Sequence, residues 1–286
     1  MQKYNIFLMC KKVIPLYPGF KHIFDIIKIN FFMSISAVII TKNEEHNIER
    51  CLQSLQGVVD EILVVDSFST DATQEICERY HAKFFQQEWL GFAEQKNHAN
   101  SLSAYDTILS IDADEALSPE LQQSLLALKS ADKQNFVCQI SRLTNYCGKW
   151  IHHCGWYPDK KIRVFNRNTA KWAGTIHETL SFPSDTKVIS LKGDLYHYSY
   201  NSVESHVIRA NKYTTLSAIE AFEKGKNITF FYLIIKSCWK FFRDYFLKGG
   251  FLDGYYGYVI CKMSVFVTLL EHTKLKQLHN QHDANQ

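Results

Sequence analysis

The chain has 286 residues, of which 46% are hydrophobic, 14% aromatic and 21% charged, with a formal net charge of +3; this suits one catalytic domain of about 200 residues with additions. Such a balance excludes a disordered chain and a polytopic membrane protein. The charge is segregated: residues 1–33 carry five Lys against Asp25, residues 224–276 carry nine Lys/Arg against Asp244, Asp253 and Glu271, and the tail adds Asp283, which leaves −6 for 34–223.

Residues 1–33 show no clear period and end at Met33, directly before the first strand pattern. They are either an extension upstream of a start at Met33 or a basic membrane-proximal arm, and are set apart from the fold. The β-branched run Ile35–Thr41 then predicts a buried strand of the kind parallel sheets use. A helix follows, with Asn43 as cap, Glu44 and Glu45 in its first turn, and Ile48, Cys51, Leu52 and Leu55 on one face. Glu61–Asp66 is a second strand, a helix runs from about Asp71 to Tyr80, Lys83–Gln86 is a short strand, and 93–104 is helical. Thr107–Ile111 is a fourth strand that runs into Asp112-Ala-Asp114, and Ser118 with Pro119 opens a helix to about Lys129.

This alternation specifies an α/β layer, a mostly parallel sheet with helices on both faces, in which ligands bind at the carboxyl ends of strands. Beyond about 135 the pattern turns β-rich (Phe136–Leu143, Lys161–Asn166, Lys187–Leu191, Asp194–Tyr198), and helix returns at about 202–223. A C-terminal helix over about 228–247 gathers Phe231, Ile234, Ile235, Cys238, Phe241, Phe242, Tyr245 and Phe246 on one face, with Lys236, Lys240 and Arg243 on another. The expected units are an extension over 1–33, a catalytic domain over 34–223, and an amphipathic helical region with its tail over 224–286.

A nucleic-acid-binding domain would carry a basic stripe across its fold, whereas here the basic ends are rich in aromatics. Nucleic acid is therefore not the expected partner. The C-terminal helix either packs on the catalytic domain or docks on an anionic lipid surface. Every long apolar stretch is broken by Lys236, Lys240, Arg243 or Lys262, so peripheral contact is expected rather than spanning. Eight scattered Cys, no C-x-x-C and no signal-peptide pattern place the protein in the cytoplasm with reduced thiols, on the cytoplasmic face of the inner membrane. Cys147, His152, His153 and Cys154 match no common zinc spacing.

Three polar clusters end successive strands: Thr41-Lys-Asn-Glu44, Asp66-Ser-Phe-Ser-Thr-Asp71 and Asp112-Ala-Asp114. In a parallel sheet these ends converge, so Glu44, Asp66, Asp112 and Asp114 would share one crevice and repel one another unless a cation intervenes. Hard Mg²⁺ or Mn²⁺, which takes carboxylate and phosphate oxygens together, is the natural remedy. Neither G-x-x-x-x-G-K-[ST] nor G-x-G-x-x-G is present, which leaves metal bridging as the way to hold a nucleotide.

Taken in order, Ile35-Ser-Ala-Val-Ile-Ile-Thr-Lys-Asn-Glu-Glu, Val64-Val-Asp-Ser-Phe-Ser-Thr-Asp-Ala-Thr73 and Ile111-Asp-Ala-Asp114 resemble the family 2 glycosyltransferases of the GT-A (Rossmann-like) fold. The later stretches Gly155-Trp-Tyr-Pro-Asp-Lys-Lys-Ile-Arg-Val-Phe165 and Trp172-Ala-Gly-Thr-Ile-His-Glu178 are similar to the lipopolysaccharide-core subgroup that adds glucose to heptose. The resemblance implies that Thr41 and Glu44 line a nucleotide pocket, that Asp66 accepts from uracil, that Asp112 lies near ribose and metal, and that Asp114 holds the metal on the diphosphate. It also places Gln95, Lys96 and Asn97 near the diphosphate or sugar, or on a solvated helix face.

The implied reaction is inverting transfer of a hexose, glucose from UDP-glucose, to a lipid-linked oligosaccharide. A carboxylate must take the acceptor proton. Glu178 is the first candidate and Asp159 the second, the alternative for Glu178 being a brace to Arg163 or Lys161. Arg163 would meet a phosphate or hold local acids, and Trp150, Trp156 and Trp172 would stack on sugars or fill the core. Rival readings are a polyprenyl-phosphate glycosyl synthase, whose phosphate acceptor needs no strong base, and a catalytically silent nucleotide-sugar-binding membrane protein.

Overall fold

A computed structural model describes residues 33–130, 135–174, 178–227 and 229–284. The extension therefore lies outside the described residues except for Met33. From Ile35, strands and helices alternate: β1 (Ile35–Thr41), α1 (Ile48–Leu55), β2 (Glu61–Asp66), α2 (Thr73–Arg79), β3 (Lys83–Gln86), α3 (Phe92–Leu102), β4 (Thr107–Ser110), β5 (Glu115–Leu117) and α4 (Pro119–Lys129). The β-rich stretch supplies β6 (Phe136–Tyr146), β7 (Lys149–Ile151), β8 (Asp159–Asn166), β9 (Lys171–Ala173), β10 (Thr179–Ser181) and β11 (Lys187–Tyr200).

Nine strands make one sheet in the order β3-β2-β1-β4-β8-β6-β11-β5, with β7 beside β6, while β9 and β10 form a separate antiparallel pair. The β3-β2-β1-β4 half is parallel throughout. Past β4 it becomes mixed: β8 runs antiparallel to both β4 and β6, β11 parallel to β6, and β5 antiparallel to β11.

Side-chain alternation along β1 builds a core on each face. Ile35, Ala37 and Ile39 pack with Ile48, Leu52 and Leu55 of α1, Ile76 of α2, and Leu121 and Leu125 of α4. Val38 faces the other way, with Ala93 and Ala99 of α3, Phe165 and Trp172. Helices thus cover both faces, as the periodicity predicts. Ser118 caps α4 by accepting from the Leu121 backbone N–H at 3.2 Å.

The two strands expected at 187–191 and 194–198 are one strand, β11. Its register on β6 shifts between Ser190 and Asp194, and Gly193 at φ +86° passes so near α4 that a Cβ there would lie 2.2 Å from the Leu121 nitrogen. Lys192-Gly193 reads in sequence as a turn because the close helix that demands the glycine is remote in the chain.

After α5 (Val203–Glu223), α6 (Phe230–Phe242) runs into a π turn (Arg243–Leu247), a short 3₁₀ turn (Gly250–Asp253) and α7 (Gly254–Ala284). The helix expected over 228–247 is thus the first arm of a helical pair. Ile260 and Cys261 of α7 pack on Tyr146 and Ile151 of the sheet, with Phe241 and Tyr245 beside them. Further along, Leu275 packs on Ala218 and Ala221 of α5. Among the described residues, no helix is long and apolar enough to cross a membrane.

Candidate active site

The carboxyl ends of β1 and β4 open into a cleft of about 1430 Å³, to which β6, β8, β11 and α5 also contribute. Of Thr41, Lys96 and the six acids singled out in the sequence, the structure brings Thr41, Glu44, Lys96, Asp112, Asp114, Asp159 and Glu178 into the cleft lining. The exception is Asp66. It is fully buried and does not line the cleft; its carboxylate accepts from the Ser69 backbone N–H at 2.7 Å and from the Ser69 hydroxyl at 2.5 Å. Both oxygens close their own turn.

The neighbouring motif residues are fasteners as well. The Glu44 N–H donates to Thr73 Oγ1 at 2.9 Å, the Glu45 N–H to Asp71 at 3.1 Å, and the Thr70 N–H to Asn43 Oδ1 at 2.8 Å. The loops after β1 and β2 are thereby stitched together, which fixes the cleft wall on which Thr41 and Glu44 stand. Thr41 Oγ1 is buried and has no hydrogen-bond partner among the described residues. An unsatisfied hydroxyl on a cleft wall is a group that a ligand can satisfy. The Glu44 carboxyl lies above its ordinary value, chiefly through burial and with help from the Asp114 charge.

The acids after β4 are compensated from within the protein. Asp112 accepts from Arg163 at 2.8 Å and lies 3.3 Å from the Lys96 ammonium, one oxygen to each. Burial alone would raise this carboxyl; the two cations outweigh it and hold it well below the carboxylate range. Arg163 also donates to buried Glu115 at 2.6 Å. It braces acids beneath the cleft and does not line it. Asp112, expected beside a metal, therefore has its charge already met. Asp114 differs: its Oδ2 lies 3.3 Å from His197 Nε2 on β11.

Lys96, nine-tenths or more buried, spans two parts of the chain. Its Nζ lies 3.1 Å from Glu178 Oε1 as well as 3.3 Å from Asp112, and sits over the Trp172 ring at 4.7 Å. Glu178 pairs with neither Arg163 nor Lys161. Those bracing roles fall to other acids: Asp159 accepts from Arg142 at 2.6 Å and lies 3.1 Å from Lys161. Burial would raise the Asp159 carboxyl, but these two cations overcome it and hold it low, which makes Asp159 a weak proton acceptor. Next to Lys96, Gln95 turns inward to Ser67 and Leu90, and Asn97 bonds the Trp172 backbone in both directions. Helix α3 thus pins β9 and offers Lys96 alone of the three to the cleft.

Of the tryptophans, Trp156 lines the cleft, while Trp150 packs on Tyr196 and Trp172 on Phe165. His177 lies outside the described residues. His153 and the backbone N–H groups of His152 and His153 engage Asp253.

His197, Arg142, Arg209 and the aromatic pair Trp89 and Phe92 line the cleft without having been picked out in the sequence. A signal exists for Arg209: His206, Arg209 and Tyr213 fall at i, i+3 and i+7, one face of α5. His197 has none, because it reaches Asp114 only when β11 pairs with β5, setting His197 opposite Glu115.

A deep cleft at parallel-strand ends, with an orphan hydroxyl, a compensated D-x-D and a carboxylate brought in from a distant loop, defines an enzyme that holds one substrate while activating another. Residues 36–184 match the Glycosyl transferase family 2 model, and the protein belongs to that family: it is a glycosyltransferase. It is 35% identical to a glycosyltransferase of Rickettsia typhi over 85% of this chain and 87% of that one. It is 28% identical to the lipopolysaccharide core biosynthesis glycosyltransferase LpsC of Rhizobium meliloti, over 86% of this chain and 93% of that one. Among solved structures, residues 1–349 of S. aureus TarS align at 14% identity and a TM-score of 0.39, covering 89% of this chain and 92% of that one.

Proposed function

We propose that the protein is a metal-dependent inverting hexosyltransferase that moves glucose from UDP-glucose to a hydroxyl of a lipid-linked oligosaccharide, an inner-core heptose of lipopolysaccharide, at the cytoplasmic face of the inner membrane. The single observation that carries this reading is Lys96, whose ammonium joins Asp112 of the donor side to Glu178 of the acceptor side. The similarity to LpsC supports the choice of acceptor.

Thr41 and Glu44 would line the nucleotide pocket, with the Thr41 hydroxyl finding its missing partner there. Glu178, held in place by Lys96 at 3.1 Å, takes the proton of the acceptor hydroxyl. The acceptor oxygen then bonds to C1 of the sugar as the C1–diphosphate bond breaks on the opposite face, and the anomeric centre inverts. Once Glu178 is neutral, Lys96 is free to turn its charge toward Asp112 and the departing diphosphate.

The Asp114 carboxylate suits Mg²⁺ or Mn²⁺, and Asp114 with His197 beside it at 3.3 Å would hold such a divalent ion. Among the described residues no cluster of three or more such ligands exists. Bound there, the ion would supply Lewis-acid neutralisation of the leaving diphosphate.

Peripheral membrane contact is supported by the helical pair: Phe231, Ile235 and Tyr255 are 77%, 68% and 76% exposed, on a region of net +6. Apolar rings at the surface of a strongly basic segment suit the anionic leaflet.

The test is Glu178→Gln. Transfer to a lipid acceptor should fall ~10²–10⁴-fold with UDP binding retained. A small loss instead would favour a phosphate acceptor, which needs no base, as in a polyprenyl-phosphate glycosyl synthase.

A further inference from the structure

A second cavity, of about 390 Å³, lies between α6 and α7. Trp156, His206 and Val267 belong to its wall and to the wall of the active-site cleft, so the two spaces adjoin. Lys236, Lys240 and Arg243 line it, and among the described residues Glu271 is its one acid. Lys240 and Arg243 share one buried carboxylate, Asp244, at 3.3 and 2.8 Å, and Lys248 shares it too at 3.7 Å.

Lys236 makes no salt bridge among the described residues. Its ammonium lies 3.0 Å from Nε2 of buried His272. That nitrogen must accept, so the imidazole is neutral and cancels no charge. The lining thus carries three cations against one carboxylate, Glu271, an excess of two positive charges beside the reaction site, while Asp244, which Lys240 and Arg243 share from outside the lining, is also met by Lys248. A phosphate monoester, at about −1.5 to −2 near neutral pH, balances that excess.

We propose that the α6–α7 pocket is a phosphate subsite for the acceptor: it holds a phosphate group of the lipid-linked glycan while the reacting hydroxyl lies in the adjoining cleft. Lys236 is the anchor, since no carboxylate among the described residues lies within salt-bridge distance of it; Lys240 and Arg243 strengthen the field. Glu271 opposes binding and limits affinity for lone anions. The pocket therefore selects phosphorylated glycan over neutral glycan at a distance from the bond being made.

This subsite rests on the cleft being the donor pocket, and UDP binding by wild type, followed calorimetrically, tests that assignment alone. The subsite is tested with the full chain, labelled UDP-glucose, and detergent-dispersed glycolipid extract from cells lacking the gene, either native or treated with phosphatase. Lys236→Gln should raise KM for native extract roughly tenfold, as loss of one charge-assisted contact implies, with kcat and UDP binding little changed. Wild type should show the same rise on treated extract, where Lys236→Gln shows no further effect. Glu271→Gln should move KM the other way, so a poorly folding variant does not decide the matter.

Equal use of native and treated extract by wild type would overturn the proposal. So would a Lys236→Gln defect that persists undiminished on treated extract. The pocket would belong to bulk lipid headgroups, and the acceptor assignment would be wrong, if Lys236→Gln lost binding to phosphatidylcholine vesicles containing phosphatidylglycerol while its KM for dispersed extract stayed unchanged.

Discussion

The parallel half of the sheet and the α6–α7 pair differ in what they turn toward their ligands. Around β1, β2 and β4, charge is drawn inward and matched: Arg163 and Lys96 hold Asp112, Arg163 also holds Glu115, and Ser69 saturates Asp66. In the helical pair, large apolar side chains face outward; no residue of α6 itself is buried, although Phe241 and Tyr245 pack partly on the sheet. Inward charge needs a fixed geometry because an unmatched buried ion is very unfavourable. Outward apolar surface is tolerable only where something other than water meets it. The first region is built to position a ligand and the second to meet a surface.

The strongest way to break this contrast is to remove the ion that lets the first region hold its acids. Arg163→Leu leaves buried Glu115 and half-buried Asp112 without their shared partner, and should lower stability by about 3–5 kcal/mol in denaturant unfolding. Arg142, 3.4 Å from Glu115, supplies only a weaker second contact. A loss below about 1 kcal/mol would mean that the acids are solvated in solution and that the inward half of the comparison is mistaken.

Asp114→Ala comes next. Asp114 is the D-x-D acid without a Lys or Arg partner within salt-bridge distance among the described residues, so its removal should spare stability while lowering transfer by roughly 10²–10³-fold. Steady-state rates with unfolding curves on the same preparation separate the two effects. Unaltered transfer would remove the distinction between a bracing Asp112 and a working Asp114.

The outward half is sharpened by replacing Phe231, Ile235 and Trp239 together with Ser. If each contributes about 1 kcal/mol of partial burial in a lipid interface, vesicle binding should weaken about 100-fold. UDP binding should not change, because none of the three lines the cleft. Equal binding by wild type and variant would leave the aromatic face without the lipid partner proposed for it.

The parallel half was legible because its periodicities are local: β1, α1, β2, α2 and α4 follow from patterns of two and 3.6 read within a dozen residues. Its motif acids were legible as a set, but not in their separate duties. The hydrogen bonds of Asp66 go to its own turn, and the partners of Asp112, Lys96 and Arg163, are remote in sequence. His197 was invisible for the same reason, since the β11–β5 ladder that aims it joins strands some 80 residues apart. In the helical pair, one amphipathic face was readable at 228–247, but the side of it that packs was not: Phe241 and Tyr245 turn inward only because α7 brings Ile260 and Cys261 beside them.

The smallest expected effect tests whether the two regions melt as one. His206, on the seam between cleft and helical pair, and His272, within the pair, both have their pKa lowered from 6.5, first by burial and then by Arg209 and Lys236 respectively. Below 6.5 the unfolded chain takes up protons that the folded chain still refuses, so this contribution is complete above that pH and is lost as pH falls toward the folded values. The slope is at most about 1.4 kcal/mol per pH unit for each histidine. His272→Phe should flatten the acid dependence below about pH 7 by up to one proton, and His206→Phe by up to another. If the helical pair is continuous with the sheet through Tyr146 and Ile260, both changes act on a single calorimetric transition. A separate low-temperature transition that alone responds to His272→Phe would show instead that the outward-facing pair folds independently of the inward-facing half.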